Sequence, residues 1–504
     1  AAHTPGDTAP SRRRRADGGG AMARRLTLDG SRLLNPDGSA TLLRGFNLAF
    51  TLDSPFSVPD KRHGDELFLE LLPGTNYVRL VMLHWYDRPT LIGPKGTAVS
   101  AGNDCSLGHV RWGEPVISPR CLEQMDTILR WSASQGLWAI VTARCSLAAG
   151  EQIPNKYSTN VFGDAEVRRR FLQMWGVVAA RYRSFDLIAG YEVLSEPRVN
   201  GKGWDDAVRS FYTEACDAVW AADARTPCVI GPAPFYDHTR LESVLLPEAT
   251  RGRVIYLYNF FVPKEFVMGE KGRRYPGDYR CCDLYVKGSD AWNSECCAGR
   301  CCDKRVRADA AALEAALQRG PIRFAQQHNV PIVLDQWGVA HGAGADRLAY
   351  AHDMMMLLNK HGLSWSYWQW RHRTKGYTER TMSIVSSEGY GQKPLVDREL
   401  VQKLRGGLNQ KRLPAAAPVE AEAPAKAPPP AAETAPAKVA ACVDTPKWHN
   451  RYKADCDRYV IEGHCFGGGA AKGHEWALGA EFDYPERSCC ACGKGRTSAG
   501  TVVH

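Results

Sequence analysis

The sequence predicts an α/β chain: a parallel (β/α)8 TIM barrel, then a Pro/Ala-rich linker, then a small disulfide-rich module. Three observations predict this. Eight apolar strand candidates recur in order, amphipathic helix candidates lie between most of them, and composition then shifts abruptly. A doubly wound open sheet is the competing architecture. It would normally show a Gly-rich phosphate turn after the first strand, and "RGFNLAF" is not one.

The strand candidates are "TLLRGFNLAF" (41–50), "NYVRLVML" (76–83), "LWAIVTA" (137–143), "LIAGYEVL" (187–194), "PCVIGPAP" (227–234), "RVIYLYNFF" (253–261), "PIVLDQWG" (331–338) and "LSWSYWQW" (363–370). The clearest helix candidates are "CLEQMDTILRWSASQG" (121–136), "AEVRRRFLQMWGVVAARYRS" (165–184), "WDDAVRSFYTEACDAVWAAD" (204–223) and "DRLAYAHDMMMLLNKHG" (346–362). Each places apolar residues at helical spacing, and the first and last run into a Gly stop. Residues 413–440 are dominated by Ala, Pro, Glu and Lys and predict a semi-extended linker. The expected organisation is therefore a disordered basic leader (1–22), the barrel (23–412), the linker (413–440) and a cysteine-rich module (441–504).

The 504 residues, 44% hydrophobic and 24% charged, have the composition of a globular protein. No apolar run approaches the roughly 20 residues needed to span a bilayer. The formal charge is +9, and six arginines fall within "SRRRRADGGGAMARR". A polyanion-binding arm and a flexible leader or processing remnant both fit that stretch. No nucleic-acid motif and no basic stripe interleaved with aromatics is present, so no nucleic-acid partner is expected. The chain opens without an apolar signal segment, which implies either an intracellular protein or a signal already removed. The 17 cysteines cluster in "RCCDLYV", "SECCAGRCC" and "SCCAC". Such density suits disulfides in an oxidising compartment, and the doublets lack two clean zinc-finger knuckles. The expectation is a secreted, processed protein with no metal and no cofactor.

A barrel directs attention to the C-terminal ends of its strands, where chemistry sits. Those ends offer Arg44 and Asn47, His84 and Trp85, Arg144 and Cys145, Ser195 and Glu196, Asn259 and Phe261, Gln336 and Trp337, then Trp368 and Trp370. Aromatics with a few polar groups and one prominent acid suit a sugar cleft. Pyranose rings offer apolar faces to aromatic rings, and their hydroxyls need hydrogen-bond partners.

The same segments resemble glycoside hydrolase family 5, the cellulase-like family. "TLLRGFNLAF" is similar to its first-strand "LRGVNL" pattern and "GTNYVRLVML" to its second strand. "MWGVVAARYRSFDLIAGYEVLSEP" resembles the fourth helix and strand, which end in Asn-Glu-Pro. "RVIYLYNFFVP" resembles the sixth strand, "PIVLDQWG" the seventh with its usual Gly-Glu-Phe/Trp-Gly, and "LSWSYWQW" the eighth with its substrate-stacking Trp. The match runs in register from Leu26 to Leu408.

The resemblance implies retention of anomeric configuration by two carboxylates roughly 5 Å apart. The acid/base position falls on Glu196 and the nucleophile position on Gln336, with Arg44 expected to orient the latter. Glutamine keeps the shape of glutamate but has no oxyanion with which to attack the anomeric carbon. The resemblance further implies substrate contacts from Asn47, Trp85, Arg144, Ser195, Asn259, Phe261, Trp337, Trp368 and Trp370. Several of these depart from the family pattern. Ser195 stands for Asn, Arg144 or Cys145 for a His, and Asn259 and Phe261 for the His and Tyr of the sixth strand. Two explanations of Gln336 stay open, a working catalyst with its nucleophile replaced and a natural barrel that has drifted from catalysis. The number of altered partners favours the second. Substitute acids are Asp335, Glu192, Glu379 and Glu388. Strand alternation sets Asp335 on the opposite face from Gln336 and Glu192 about two pleats below Glu196.

Cysteine spacing completes the picture. A Cys-rich insertion at about 273–305 carries Cys281, Cys282, Cys296, Cys297, Cys301 and Cys302, and a loop of that length needs cross-links. Elsewhere in the barrel Cys105 pairs plausibly with Cys121 and Cys216 with Cys228, which leaves Cys145 free. The tail holds Cys442, Cys456, Cys465, Cys489, Cys490 and Cys492, a stapled module too small to stand on its core alone. The expected function is an extracellular barrel that binds a β-linked glycan or cell-wall polysaccharide. It would be inactive as written, with other extracellular proteins as a second partner class. The alternatives are a retaining endo-β-glycanase whose nucleophile was mutated and a structural scaffold.

Overall fold

The computed structural model describes residues 23–48, 67–86, 117, 119–146, 160–163, 165–199, 202–281, 304–375, 379–387 and 395–409, and parts of 444–494. Eight parallel strands close into a barrel. They are β1 (Arg44–Leu48), β2 (Tyr77–Tyr86), β3 (Trp138–Ser146), β4 (Ile188–Glu192), β5 (Cys228–Ile230), β6 (Val254–Asn259), β7 (Ile332–Trp337) and β8 (Ser364–Tyr367). Each pairs with the next in sequence, and β8 returns to β1. Six strands lie within their expected segments, whereas β2 and β3 start inside theirs and each run three residues further.

Among the outer helices are α1 (Leu67–Leu71), α2 (Pro119–Ser134), α3 (Ala165–Tyr182), α4 (Asp205–Ala222), α5 (Ala310–Leu317), α6 (Arg323–His328), α7 (Asp346–Lys360) and α8 (Arg398–Arg405). Local chemistry sets their ends. Asp309 and Asp397 each accept a first-turn backbone N–H, from Ala312 and Leu400, both at 3.1 Å. A single π-helical turn containing Pro321 joins α5 to α6.

Strand alternation divides the apolar residues between two cores. Outward-facing Phe46, Trp337, Trp365 and Tyr367 pack beneath the helices with Trp175 and Trp220. Inward-facing Tyr77, Trp138, Ile140, Val229, Ile255, Leu257 and Val333 fill the lower barrel. Leu26 and Leu33 plug its N-terminal mouth. They belong to a segment that forms an antiparallel sheet (Thr27–Asp29, Arg32–Leu34, Ala40–Thr41) ahead of β1, which the sequence did not announce. A cavity of about 520 Å³ lies between this sheet, α6 and the start of β8, at the end of the barrel opposite Glu196.

Two of the six leader arginines are structural. Arg24 pairs with Asp186, and buried Arg25 bonds Thr226 and the carbonyls of Tyr182 and Arg183. The base of the predicted insertion is a two-stranded ribbon, Gly277–Arg280 against Arg305–Ala308, where only a cross-linked loop was expected. Cys281 at its foot is buried and disulfide-bonded. Cys216 of α4 is bonded to Cys228 of β5, the expected pair. In the tail Cys456 joins Cys489, Cys465 joins Cys492, and Cys490 is also disulfide-bonded. Trp448 and Phe482 are half-buried against the cysteines. Cys105, Cys282, Cys296, Cys297, Cys301, Cys302, Cys442 and the side chains of Cys121 and Cys145 lie outside the described residues. No helix among the described residues is long and apolar enough to cross a membrane.

Candidate active site

The floor of the site is a buried ionic cluster built on Arg79, the single charged residue of the apolar second strand. Its side chain is fully buried. Nε lies 2.7 Å from both Glu192 Oε2 and Asp335 Oδ1, and Nη2 lies 2.6 Å from Glu192 Oε1. The remaining donors reach Asn47 Oδ1 and Ser195 Oγ, each at 2.8 Å. Glu192 also accepts from Thr142 Oγ1 at 2.8 Å and contacts the Tyr236 hydroxyl at 2.9 Å. Thus β1, β2, β4 and β7 meet at one guanidinium, and β3 and the β5 loop join them through Glu192. Burial alone would discharge Arg79, but Asp335 and Glu192 outweigh it and hold the cation firmly charged.

Above the floor stand the two positions that the sequence singled out. Gln336 Nε2 donates to Glu196 Oε1 at 3.0 Å, and Asn259 Nδ2 donates to the same oxygen at 2.8 Å. Glu196 lies four residues past the end of β4, is half-buried, and has φ +47°. Phe235 and Tyr236, at the end of β5, take φ values of +55° and +58°. Side chains rarely adopt this left-handed backbone, and such strain gathers at functional sites. The three strained residues are tied together. Phe235 N–H donates to Pro197 O at 3.1 Å, and Phe235 O accepts from Asn259 Nδ2 at 3.0 Å. The Phe235 ring is 41% exposed, with the Arg198 guanidinium carbon 5.5 Å from its centroid.

Strand alternation predicted that Asp335 would face away from Gln336, and a bulge in β7 overturns this. Leu334 pairs with Tyr258 but Gln336 pairs with Asn259, so the register slips at Asp335. Both side chains therefore face the barrel interior, with Gln336 Nε2 3.4 Å from Asp335 Oδ2. Asp335 is fully buried, and its main-chain oxygen accepts from Asn47 Nδ2 at 2.9 Å and from Ser366 Oγ. Burial pushes the Asp335 carboxyl well above its usual range, with Glu192 and Glu196 adding to the rise against the pull of Arg79.

Other expectations divide. Arg44 does not orient the nucleophile position. Its backbone belongs to β1, but the guanidinium turns outward to Leu363 O, Asn359 Oδ1 and Gly407 O at 3.3, 2.6 and 2.8 Å. Alternation explains this, since Asn47, three residues on, is the β1 side chain that points inward. Trp337 and Trp370 are fully buried in the outer core, against Trp365 and Tyr367 and against Phe46 respectively, not in a cleft. Phe261 is half-buried against the same core. Trp368 is half-buried just past the end of β8, and its carbonyl approaches Gly338 so closely that a Cβ there would sit 2.4 Å away. Ser195 is buried and serves the floor through Arg79. Glu379 is exposed beside Lys271. Glu388 and the side chains of His84, Trp85 and Arg144 lie outside the described residues. No group of three His, Cys, Asp or Glu among the described residues could hold a metal ion.

The family profile for cellulase (glycosyl hydrolase family 5) matches residues 72–374. Among solved structures, Cel5A of Thermotoga maritima in complex with cellobiose is 17% identical, covering 72% of this chain and 97% of its own, at a TM-score of 0.49. An endocellulase of Pyrococcus horikoshii in complex with cellotetraose is 11% identical, covering 77% and 99%, at 0.50. The catalytic domain of the major endoglucanase of Xanthomonas campestris pv. campestris is 14% identical, covering 76% and 100%, at 0.48. No curated protein sequence gives a significant match. At such identities the structural likeness is one of fold, whereas the family match spans more than half of the chain. The chain belongs to the cellulase family, glycosyl hydrolase family 5.

Proposed function

We propose that this barrel binds a β-linked glycan at the C-terminal ends of its strands without cleaving it. The observation that carries the reading is the direct hydrogen bond from Gln336 Nε2 to Glu196 Oε1 at 3.0 Å. A retaining glycosidase needs two carboxyl groups about 5 Å apart, one to protonate the leaving oxygen and one to attack carbon. Here the second position is an amide, it supplies no oxyanion, and it spends a donor on the acid. Asp335, the nearest other carboxylate, is buried under Gln336 and held to Arg79. Binding chemistry remains in place. Exposed Phe235, bonded through its backbone to Asn259 and Pro197, offers ring surface, half-buried Trp368 stands just past the end of β8, and Glu196, Asn259 and Gln336 can hydrogen-bond hydroxyls. The disulfides of barrel and tail suit an oxidising, extracellular setting where cell-wall polysaccharide is the partner. The small cysteine-rich module, on its tether, would raise the local concentration of that polysaccharide.

The test is calorimetric titration with cellohexaose and mannohexaose, followed by chromatography of the ligand after prolonged incubation. Saturable binding with the oligosaccharide intact is the expected result. Release of shorter sugars by the protein as written would refute the reading.

A further inference from the structure

The geometry points to Asp335 as a positioning residue of the glycan site: together with Glu196 it fixes the Gln336 amide so that its carbonyl oxygen faces the ligand and accepts a sugar hydroxyl. This rests on the glycan-binding reading. The family's usual pair at this point is Gly-Glu, and here it is Asp-Gln, so a carboxylate is kept but moved back by one residue. The β7 bulge makes the move effective, because it turns the side chains at 335 and 336 into the same space.

The amide can sit in only one favourable way. On one side Glu196 Oε1 is 3.0 Å from Nε2, and on the other Asp335 Oδ2 is 3.4 Å from it. Glu196 Oε1 accepts from Asn259 as well, so it is an acceptor on the side facing Gln336. A flipped amide would set its own oxygen against that carboxyl and lose the 3.0 Å bond. With its nitrogen turned to the two carboxyl groups, the Gln336 oxygen points away from them, and it makes no hydrogen bond among the described residues. Gln336 as a whole is 5% exposed, so the side chain is open over a small area only. Asp335 is itself held rigidly. Its main chain is pinned from Asn47, and its carboxyl faces Arg79 and Tyr77 of β2, Glu192 of β4, Tyr236 of the β5 loop and Glu196.

A double-mutant cycle separates positioning from simple support of the barrel. Cellohexaose and mannohexaose affinities are measured for the full chain, Asp335→Asn, Gln336→Met and the double variant, with thermal unfolding confirming that each folds. Asn puts an amide donor and a single acceptor where a carboxyl stood, so the fixed orientation is lost. The expected result is about a fivefold weaker affinity for Asp335→Asn, the scale of one hydrogen bond, and no further loss when it is added to Gln336→Met. Asp335→Gly, the family's residue, repeats the measurement without any side chain and guards against a folding defect peculiar to Asn. An equal loss in both backgrounds, or no loss in either, overturns the inference while leaving glycan binding intact. Failure of the unaltered protein to bind either sugar sinks the glycan-binding reading instead.

Discussion

Restoring the family's acid, Gln336→Glu, is the most informative single change. The new carboxyl would place an oxygen where Nε2 now stands, 3.0 Å from Glu196 Oε1 and 3.4 Å from Asp335 Oδ2. Two full charges 3.0 Å apart repel by about 5 kcal/mol even at an effective dielectric constant of 20. The site avoids this by retaining a proton, and the cost of retention rises with pH. For a group whose unfolded pKa is about 4.3, holding a proton costs roughly 1 kcal/mol at pH 5 and roughly 4 kcal/mol at pH 7. The sign is that of a raised acid: stability is intact below the unfolded pKa and is lost as pH climbs. Denaturant unfolding of the full chain and the variant at pH 5, 6 and 7 should therefore show a destabilisation that grows by about 1.4 kcal/mol per pH unit. Sugar binding should persist, and hydrolysis of cellohexaose or mannohexaose should stay absent, because Asn259 and Ser195 do not rebuild the rest of the family's site. A destabilisation independent of pH would refute the electrostatic argument. Clear glycanase activity would refute the claim that the barrel has moved away from catalysis.

Three further outcomes follow from the same geometry. Arg79→Met leaves Glu192 and Asp335 buried without their cation and should cost about 3–5 kcal/mol in denaturant unfolding, whereas neutralising Asp335 as well should recover part of it. Trp368→Ala and Phe235→Ala should each weaken cellohexaose binding about 3- to 10-fold in calorimetry with little change in unfolding midpoint, as expected of partly exposed rings that stack on sugar. Replacing Cys216 and Cys228, which are separated by 12 residues, with Ser should lower stability by about 3 kcal/mol and leave sugar affinity unchanged.

Much of the architecture was legible because strand and helix periods are local properties. All eight barrel strands begin inside segments that composition marks as apolar, and only β2 and β3 run on beyond them. What escaped depended on the direction of side chains. Arg44 and Arg79 both sit in strands that read well, and only the register of the closed barrel decides that the first points outward and the second inward. A signal was available: Arg79 is the lone charge in "NYVRLVML", and an isolated cation in an apolar strand must find a buried partner. Trp337 and Trp370 were misassigned for the same reason, since aromatics near strand ends serve the outer core as readily as a cleft. The bulge at Asp335 leaves no mark in the sequence, and it reverses the outcome of simple alternation.

The exchange of Gly-Glu for Asp-Gln is best understood by counting charges around Arg79. With the family's pair, the acids here would be Glu192, a glutamate at 336 and Glu196. With the present pair they are Glu192, Asp335 and Glu196. The number of acids is unchanged, and one cation still faces them, so the electrostatic demands on the barrel floor are nearly the same. What changes is reach. The shorter aspartate side chain, one residue earlier, ends against Arg79 beneath Gln336 and is shielded from any sugar. The longer side chain that does face Glu196 now carries no charge. On the proposed reading, a barrel altered in this way keeps its charged floor and gives up the oxyanion at 336. The aspartate gives Arg79 a second carboxylate whatever stands at 336, which is consistent with the proposed binding role.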